Sequence, residues 1–524
     1  MALSPSDLSM AVRVMSITAD PEIKRRGGSK SRRVTRQNAP IIHKPTLVRN
    51  IPLYEIANDE GVEQVHDLAM RIVEDIGVEF RDAESVEFWR TTDAEVDGEN
   101  IRVSRQTLLD LVSKAPSEYT QHARNPDRNV RVGGRNMVFS PSYGPPFIRD
   151  LEDQRRHATL EDLNNLQKIN HMAPAVHIAG GPIVEPVDVP VPHRHLYMAY
   201  SGLKYSDKPI VGNVTARERA QDTVDMMKIV FGDEFATNRT VTTSLINSNS
   251  PLVWDNTMLD AVKVYATNNQ AIMCSPFSMA GASTPASNVG TMGIVTAEAL
   301  MCIALAQIIR PGSPMLFGVP AMTVSLKTGA PVHGCPDSAL VQLLAGQMAK
   351  RYELPHRGIV NCATSKTADI HAGYDSMWGL FSAVLAGAHW ITMAGGMLEG
   401  TLGLSYAKAV LDCDQVNAFY HFAQGYQFDD IEEIFETIKD VGPGNHYLGA
   451  AHTRRSNLFQ HELQSNITYE QWFAEGSNTA EQAGLKEAKR RLQRYELPPM
   501  DSALDAALLE FIDKRELEIS PRFT

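Results

Sequence analysis

Between Met137 and Gln424 one unit recurs eight times: a short β-branched or apolar run, a turn rich in Gly, Pro, Ser and Asn, and then a helical stretch. The runs are MVFSP from Met137, VHIAG from Val176, PIVGN from Pro209, TVTTSLI from Thr240, AIMCS from Ala271, PMLFG from Pro314, GIVNC from Gly358 and HWITMAG from His389. Strands joined by covering helices form a closed parallel sheet, so the cadence predicts an α/β chain built on a (β/α)8 TIM barrel over residues 137–425. Such barrels carry their chemistry at the C-terminal ends of the strands, and the search for function narrows to eight turns.

A bare barrel needs about 250 residues, and this chain has 524. The surplus flanks it. Residues 1–40 contain a basic stretch from Lys24 to Arg33 that cannot bury a core and reads as a disordered arm, with electrostatic docking onto an acidic partner or nucleic acid as the alternative. Residues 41–136 read as an N-terminal α+β cap: a helix from Glu60 stopped by Gly77, a hairpin at Asp97-Gly98, and a helix capped by Ser104. Residues 426–524 read as a C-terminal helical extension that serves as a structural lid or as the contact surface of a homo-oligomer.

A formal charge of −12 opposes a general affinity for nucleic acid and turns attention to small molecules. Five separated cysteines without a C-x-x-C pair fit reduced thiols in a cytoplasm rather than a disulfide framework or structural zinc. No signal peptide is read, and the most apolar run, Gly290–Ile309, carries Glu298 and Gln307 and is expected to be a buried barrel helix rather than a membrane span.

The turns are mostly polar and uncharged. Tyr143 follows the first run, Asn213 the third, Asn247 the fourth, and Phe277 the fifth; Lys327 and His333 occupy a long loop after the sixth. Cys362, Lys366, Asp369 and His371 follow the seventh, and Gly395-Gly396 and Glu399 the eighth. No cluster of His and carboxylate stands at the strand ends, so no metal site is expected. Lys327 and Lys366 are loosely placed for a Schiff base. The Gly395-Gly396 pair suits a phosphate, or else simple close packing. Arg310 ends a helix on the opposite, stability face and is expected to cap it. Trp254, Trp378 and His421 are read as core. A neutral cavity with aromatic residues suits a quaternary ammonium ion, which has no N–H and is held by ring faces. Tyr143, Phe277 and Phe317 are the candidates for that cage, with ordinary packing as the alternative.

Five stretches carry a resemblance: FSMAGASTPASNVGTMGIVTAEALMCIALAQI from Phe277, LKTGAPVHGCPDSAL from Leu326, SKTADIHAGY from Ser365, GGMLEGTLGLSYAKAVLDCDQV from Gly395 and YEQWFAEGS from Tyr469. With these the chain resembles the trimethylamine methyltransferase family of corrinoid-dependent enzymes, from about Pro52 to Asp501. The resemblance implies a barrel that removes a methyl group from a methylated amine and passes it to the cobalt of a separate, small cobalamin-binding corrinoid protein, with no cofactor bound permanently. It places the family's pyrrolysine at Cys362, a few residues before Lys366 and Asp369. A standard residue there resembles the non-pyrrolysine branch, whose known example acts on glycine betaine. The resemblance then assigns Tyr143 and Phe277 to the ammonium cage and Lys327, His333 or His371 to the carboxylate or hydroxyl end. Glu399 supplies cation-attracting charge or pairs with a basic residue at the rim, and Cys362 lines the pocket. The alternatives are a non-catalytic betaine sensor, a methyltransferase for trimethylamine, proline betaine, carnitine or choline, and a barrel enzyme acting on a phosphorylated substrate.

Overall fold

The computed structural model describes residues 42–519 apart from 320, 427, 429 and 457, so the basic arm lies outside the described residues. Seven of the eight runs form strands: Asn136–Phe139, Ile210–Gly212, Thr242–Ile246, Ala271–Cys274, Met315–Gly318, His356–Ile359 and Trp390–Thr392. They pair in parallel in chain order from Ile210–Gly212 to Trp390–Thr392, and the last pairs with the first through Trp390↔Val138 and Ile391↔Phe139. The outcome is an α/β protein with a curled parallel sheet.

The run from Val176 is the exception. It makes a single bridge, Gly180 to Ile210, while the His177 N–H donates to the Phe139 carbonyl at 2.8 Å and the Ala179 N–H to the Pro209 carbonyl at 2.9 Å. Its local sequence explains the irregularity: a Cβ on Gly181 would stand 2.1 Å from the Val211 carbonyl oxygen, and Pro182 has no N–H to donate to a ladder.

Alternate residues of these strands face opposite ways. Val138, Ile178, Val211, Leu245, Met273, Leu316 and Trp390 meet in one buried cluster inside the curl, together with Tyr119, Val130 and Val132. The intervening Phe139, Ile272, Phe317 and Ile391 belong to clusters shared with the helices. Below the sheet an antiparallel hairpin, Glu118–Gln121 with Val130–Gly133, acts as a stopper. The Gln121 amide donates to the Ile210 carbonyl at 2.8 Å and accepts from the Thr243 hydroxyl at 2.7 Å, which itself lies 3.1 Å from the Tyr119 hydroxyl.

Residues ahead of the sheet form the helices and short strands that their capping signals predict. Gly77 has φ of 87°, Gly98 turns a hairpin at φ 64°, and the Ser104 side chain accepts from the Thr107 N–H at the start of helix Arg105–Val112. This layer packs on helix Asn288–Ile309, which is apolar all round, long enough to cross a membrane, and 83% buried inside the protein over its most apolar window. Glu298 is buried within it, accepting from the Ser248 and Ser250 hydroxyls at 2.5 and 2.7 Å.

Arg310 is the C-cap of helix Asn288–Ile309 as expected, its backbone N–H donating to the Ala306 carbonyl at 2.9 Å, while its guanidinium reaches the Thr267 carbonyl at the end of the neighbouring helix Asn256–Thr267. Two sequence-based expectations need correction. Trp254 is core, but Trp378 is 47% exposed, and His421 lies at the surface stacked on Phe459.

Candidate active site

Two residues beyond the apolar layer, the same strands carry Ser140, Gly180, Ser275, Gly318 and Thr392. Bulk gives way to small polar groups in a single inward-facing step, and a floor forms. Across this floor lies Arg357, the inward residue of the seventh strand position. Its Nε donates to the Thr392 hydroxyl at 3.0 Å and its Nη1 to the Ser275 hydroxyl at 2.8 Å. Gly318 lies alongside it, glycine because a Cβ there would stand 2.8 Å from the Cys274 carbonyl oxygen. Among the described residues no carboxylate lies within salt-bridge distance of this guanidinium, which is 2% exposed. Burial draws its pKa down to about 10, opposed by the Cys362 thiol, and it stays charged at neutral pH.

Above the floor, Cys362, Met393 and Met397 form a small apolar group against which Tyr143 and Ile359 pack. The Tyr143 hydroxyl is held protonated by burial, and to a lesser extent by the nearby Tyr265 and Glu185, although its ring keeps some solvent contact. Burial pushes the Cys362 thiol up to about 12, and the opposing pull of Lys408 and Arg357 does not restore a thiolate.

The wall after the seventh and eighth strands is locked from behind. Lys408 donates to the Asp412 carboxylate at 2.6 Å, the Asn361 carbonyl at 3.0 Å and the Ser376 hydroxyl at 2.9 Å. Asp412 also accepts from the Gly396 N–H at 2.8 Å, so one amide of the Gly395-Gly396 turn already serves an internal carboxylate. The Ser142 hydroxyl donates to the Gly395 carbonyl, and Asn361 and Met393 adopt φ of 53° and 66° beside Cys362. Asn361 Oδ1 is buried without a hydrogen-bond partner among the described residues.

The structure brings some of the predicted residues together. Cys362 and Tyr143 share one apolar group, and Cys362 and His333 line the same narrow cleft with Cys335, Gln342, Asp375 and Trp378. That cleft has room for water rather than for a methylated amine. Burial draws the His333 pKa down to about 4, with Asp375 opposing. His371 opens helix Ile370–Leu385, 55% exposed, its Nε2 lying 3.3 Å from Asp375. Asp369 caps that helix, accepting from the Ala372 N–H at 3.0 Å, and Lys366 donates to the Thr364 carbonyl at 2.7 Å.

Others stand elsewhere. Phe317 faces the helices, fully buried against Tyr352, while its neighbour Leu316 points inward. Lys327 is exposed on the turn between strands Ala321–Val324 and Pro331–Val332, outside the lumen. The Glu399 carboxylate is gripped by Arg155 through three contacts of 2.9 to 3.1 Å, and Arg155 lies 3.8 Å over the Phe147 ring. This is the rim pairing that was the alternative to a cation-attracting role. Phe277 stands 43% exposed at the end of the fifth strand position.

A small polar floor and a braced wall thus stand at the C-terminal ends of a curled parallel sheet, and comparison with known proteins gives the class: a methyltransferase. The chain belongs to the trimethylamine methyltransferase (MTTB) family, whose profile matches residues 25–520. Over 473 residues it is 36% identical to a glycine betaine methyltransferase of Desulfitobacterium hafniense strain Y51, covering 90% of this chain and 98% of that protein. It is 24% identical over 471 residues to the proline betaine:corrinoid methyltransferase of Eubacterium limosum, covering 87% and 96%. Among solved structures, the monomethylamine methyltransferase of Methanosarcina barkeri aligns with a TM-score of 0.47 and 9% identity over 84% of this chain and 94% of that one.

Proposed function

We propose that this enzyme takes a methyl group from a quaternary amine, glycine betaine or a related betaine, and delivers it to cobalt(I) on a separate corrinoid protein. The reading treats the curled sheet as a closed (β/α)8 barrel over residues 137–425, flanked by an N-terminal α+β region at 41–136 and a C-terminal helical region at 426–524. The observation that carries it is the chemistry at Cys362, the place the resemblance gives to pyrrolysine. A buried thiol held protonated offers no electrophile to activate a tertiary amine. A quaternary nitrogen needs none, because it leaves as a neutral amine and keeps the pair of the breaking N–C bond, while cobalt(I) supplies the pair of the new bond to carbon. The residues then have only to orient and dry the substrate. Tyr143 forms the inner face of the ammonium cage and Phe277 its outer face at the mouth, where the partner's cobalt arrives. Phe317, Lys327 and Glu399 take no part in that cage, for the geometric reasons given above.

The 36% identity to a glycine betaine methyltransferase and the betaine-specific name of a second relative support the substrate class. Free thiols at all five cysteines support a reducing, cytoplasmic setting. A second copy of this chain is the proposed cover for helix Ile431–Val441, which has no buried residue and exposes Ile431, Phe435 and Ile438 on one face.

The test is direct. Purified protein, cob(I)alamin and glycine betaine give growth of the methylcobalt absorption band and formation of dimethylglycine. Stabilisation by betaine with no methylation identifies a sensor instead.

A further inference from the structure

We infer that Arg357 binds the carboxylate of the substrate at the floor of the lumen, and that this makes the enzyme selective for betaines over quaternary amines that lack an acid group. The inference rests on the reading of the site just given. Nothing in the sequence-based reading pointed to this residue; the structure assigns it by position.

A guanidinium offers five N–H donors in a flat fork that matches a carboxylate. Here two donors are spent on the Ser275 and Thr392 hydroxyls, which fix the plane of the group and leave its charge uncompensated. The other buried cations are compensated: Lys263 meets Asp82, Glu84 and Asp260, Lys408 meets Asp412, Arg491 meets Glu487, and Lys208, with no carboxylate in reach, spends its ammonium on the Asn170, Ala173 and Val176 carbonyls, a compensation with no counterpart at the outer edge of the Arg357 fork. Arg357 meets no carboxylate among the described residues, and a buried charge without a partner is costly enough that it persists where a visiting anion completes it. Its placement also suits the task. It crosses a floor of Ser140, Gly180, Ser275, Gly318 and Thr392, the point at which the apolar filling stops.

A carboxylate held there sets the rest of the molecule. One methylene away, the ammonium rises to the level of Tyr143, and an N-methyl points to the mouth rather than the floor. The same guanidinium repels a cation that brings no carboxylate, so selection works by attraction to one ligand and repulsion of the other.

The experiment measures binding by calorimetry and methyl transfer to cob(I)alamin for glycine betaine, its neutral amide and choline, using the full-length protein. Wild type is expected to prefer glycine betaine over the amide by about 30-fold or more, as a charge-assisted fork would give. Arg357→Gln is expected to weaken glycine betaine about 100-fold and to tighten the amide and choline by up to a few fold as the repulsion is lifted, and Arg357→Lys to fall between for glycine betaine because it keeps the charge and loses the fork. Unchanged betaine affinity in a folded Arg357→Gln overturns the inference, as does equal loss for all three ligands. If Arg357→Gln does not fold, the wild-type comparison decides, and parity between betaine and amide overturns the proposal. In that case the reading of the site still stands provided methyl transfer occurs. Wild type that neither binds nor demethylates any quaternary amine overturns the reading itself.

Discussion

Two walls of the lumen are built on opposite plans. The wall after the seventh and eighth strand positions is braced by Lys408, Asp412, Ser376 and Asn361, all buried and mutually bonded. The wall after the fifth and sixth consists of a small separate sheet, Ser278–Ala280 with Ala321–Val324 and Pro331–Val332, that ends in exposed Leu326 and Lys327. The first wall holds Cys362 to a fixed position; the second carries Phe277 where it is half in water. The difference teaches that rigidity is unevenly shared around the strand ends: one side is fixed and the other exposed, and on the proposed function the exposed side is where substrate would enter.

The sharpest way to break that contrast is Lys408→Met, which strands the Asp412 carboxylate in the interior. The expected cost is about 3–5 kcal/mol in urea unfolding, largely recovered by Lys408→Met with Asp412→Leu. A fall of under about 1 kcal/mol would mean that the wall is not braced by this pair.

His333 stands where the two walls meet. Its folded pKa of about 4 is depressed below the usual 6.5, so the unfolded chain binds the proton more readily. Its contribution to stability is therefore complete above pH 6.5 and is lost as pH falls toward 4. His43, His171, His177 and His356 are depressed as well, and the whole protein should share this acid sensitivity. His333→Gln should flatten part of that fall, measured as Tm against pH, with no change above pH 7.

On the accessible wall, Phe277→Ala should weaken a quaternary ligand by about 1–2 kcal/mol more than a neutral isostere, read by calorimetry. Equal losses would leave Phe277 as packing alone. Lys327→Ala should change stability and betaine affinity by no more than about 0.5 kcal/mol, as for any solvated surface lysine. A larger loss of affinity would bring the turn into the site.

Seven strands were readable because each short β-branched run is followed by a helix, a pattern that survives in one dimension. What did not survive was direction. Strands covered on both faces lose the in-and-out alternation of polarity, so Phe317 and Leu316 look alike in the text although they point to opposite sides of the sheet. Arg357 escapes for a related reason: the apolar run begins at Gly358, two residues after the strand's first residue His356, which leaves the arginine among apparent loop residues. Its neighbours Ser275 and Thr392 are 82 and 35 residues away, and Arg155 is 244 from Glu399, separations at which no local pattern links them. The signal available was a lone basic residue ahead of an apolar strand.

The stopper formed by Tyr119 and Gln121 plugs one end of the curled sheet. If the proposed function holds, substrate and demethylated amine must then share the opposite end with the corrinoid protein, and turnover would be a two-stroke cycle in which the partner lifts away between loads.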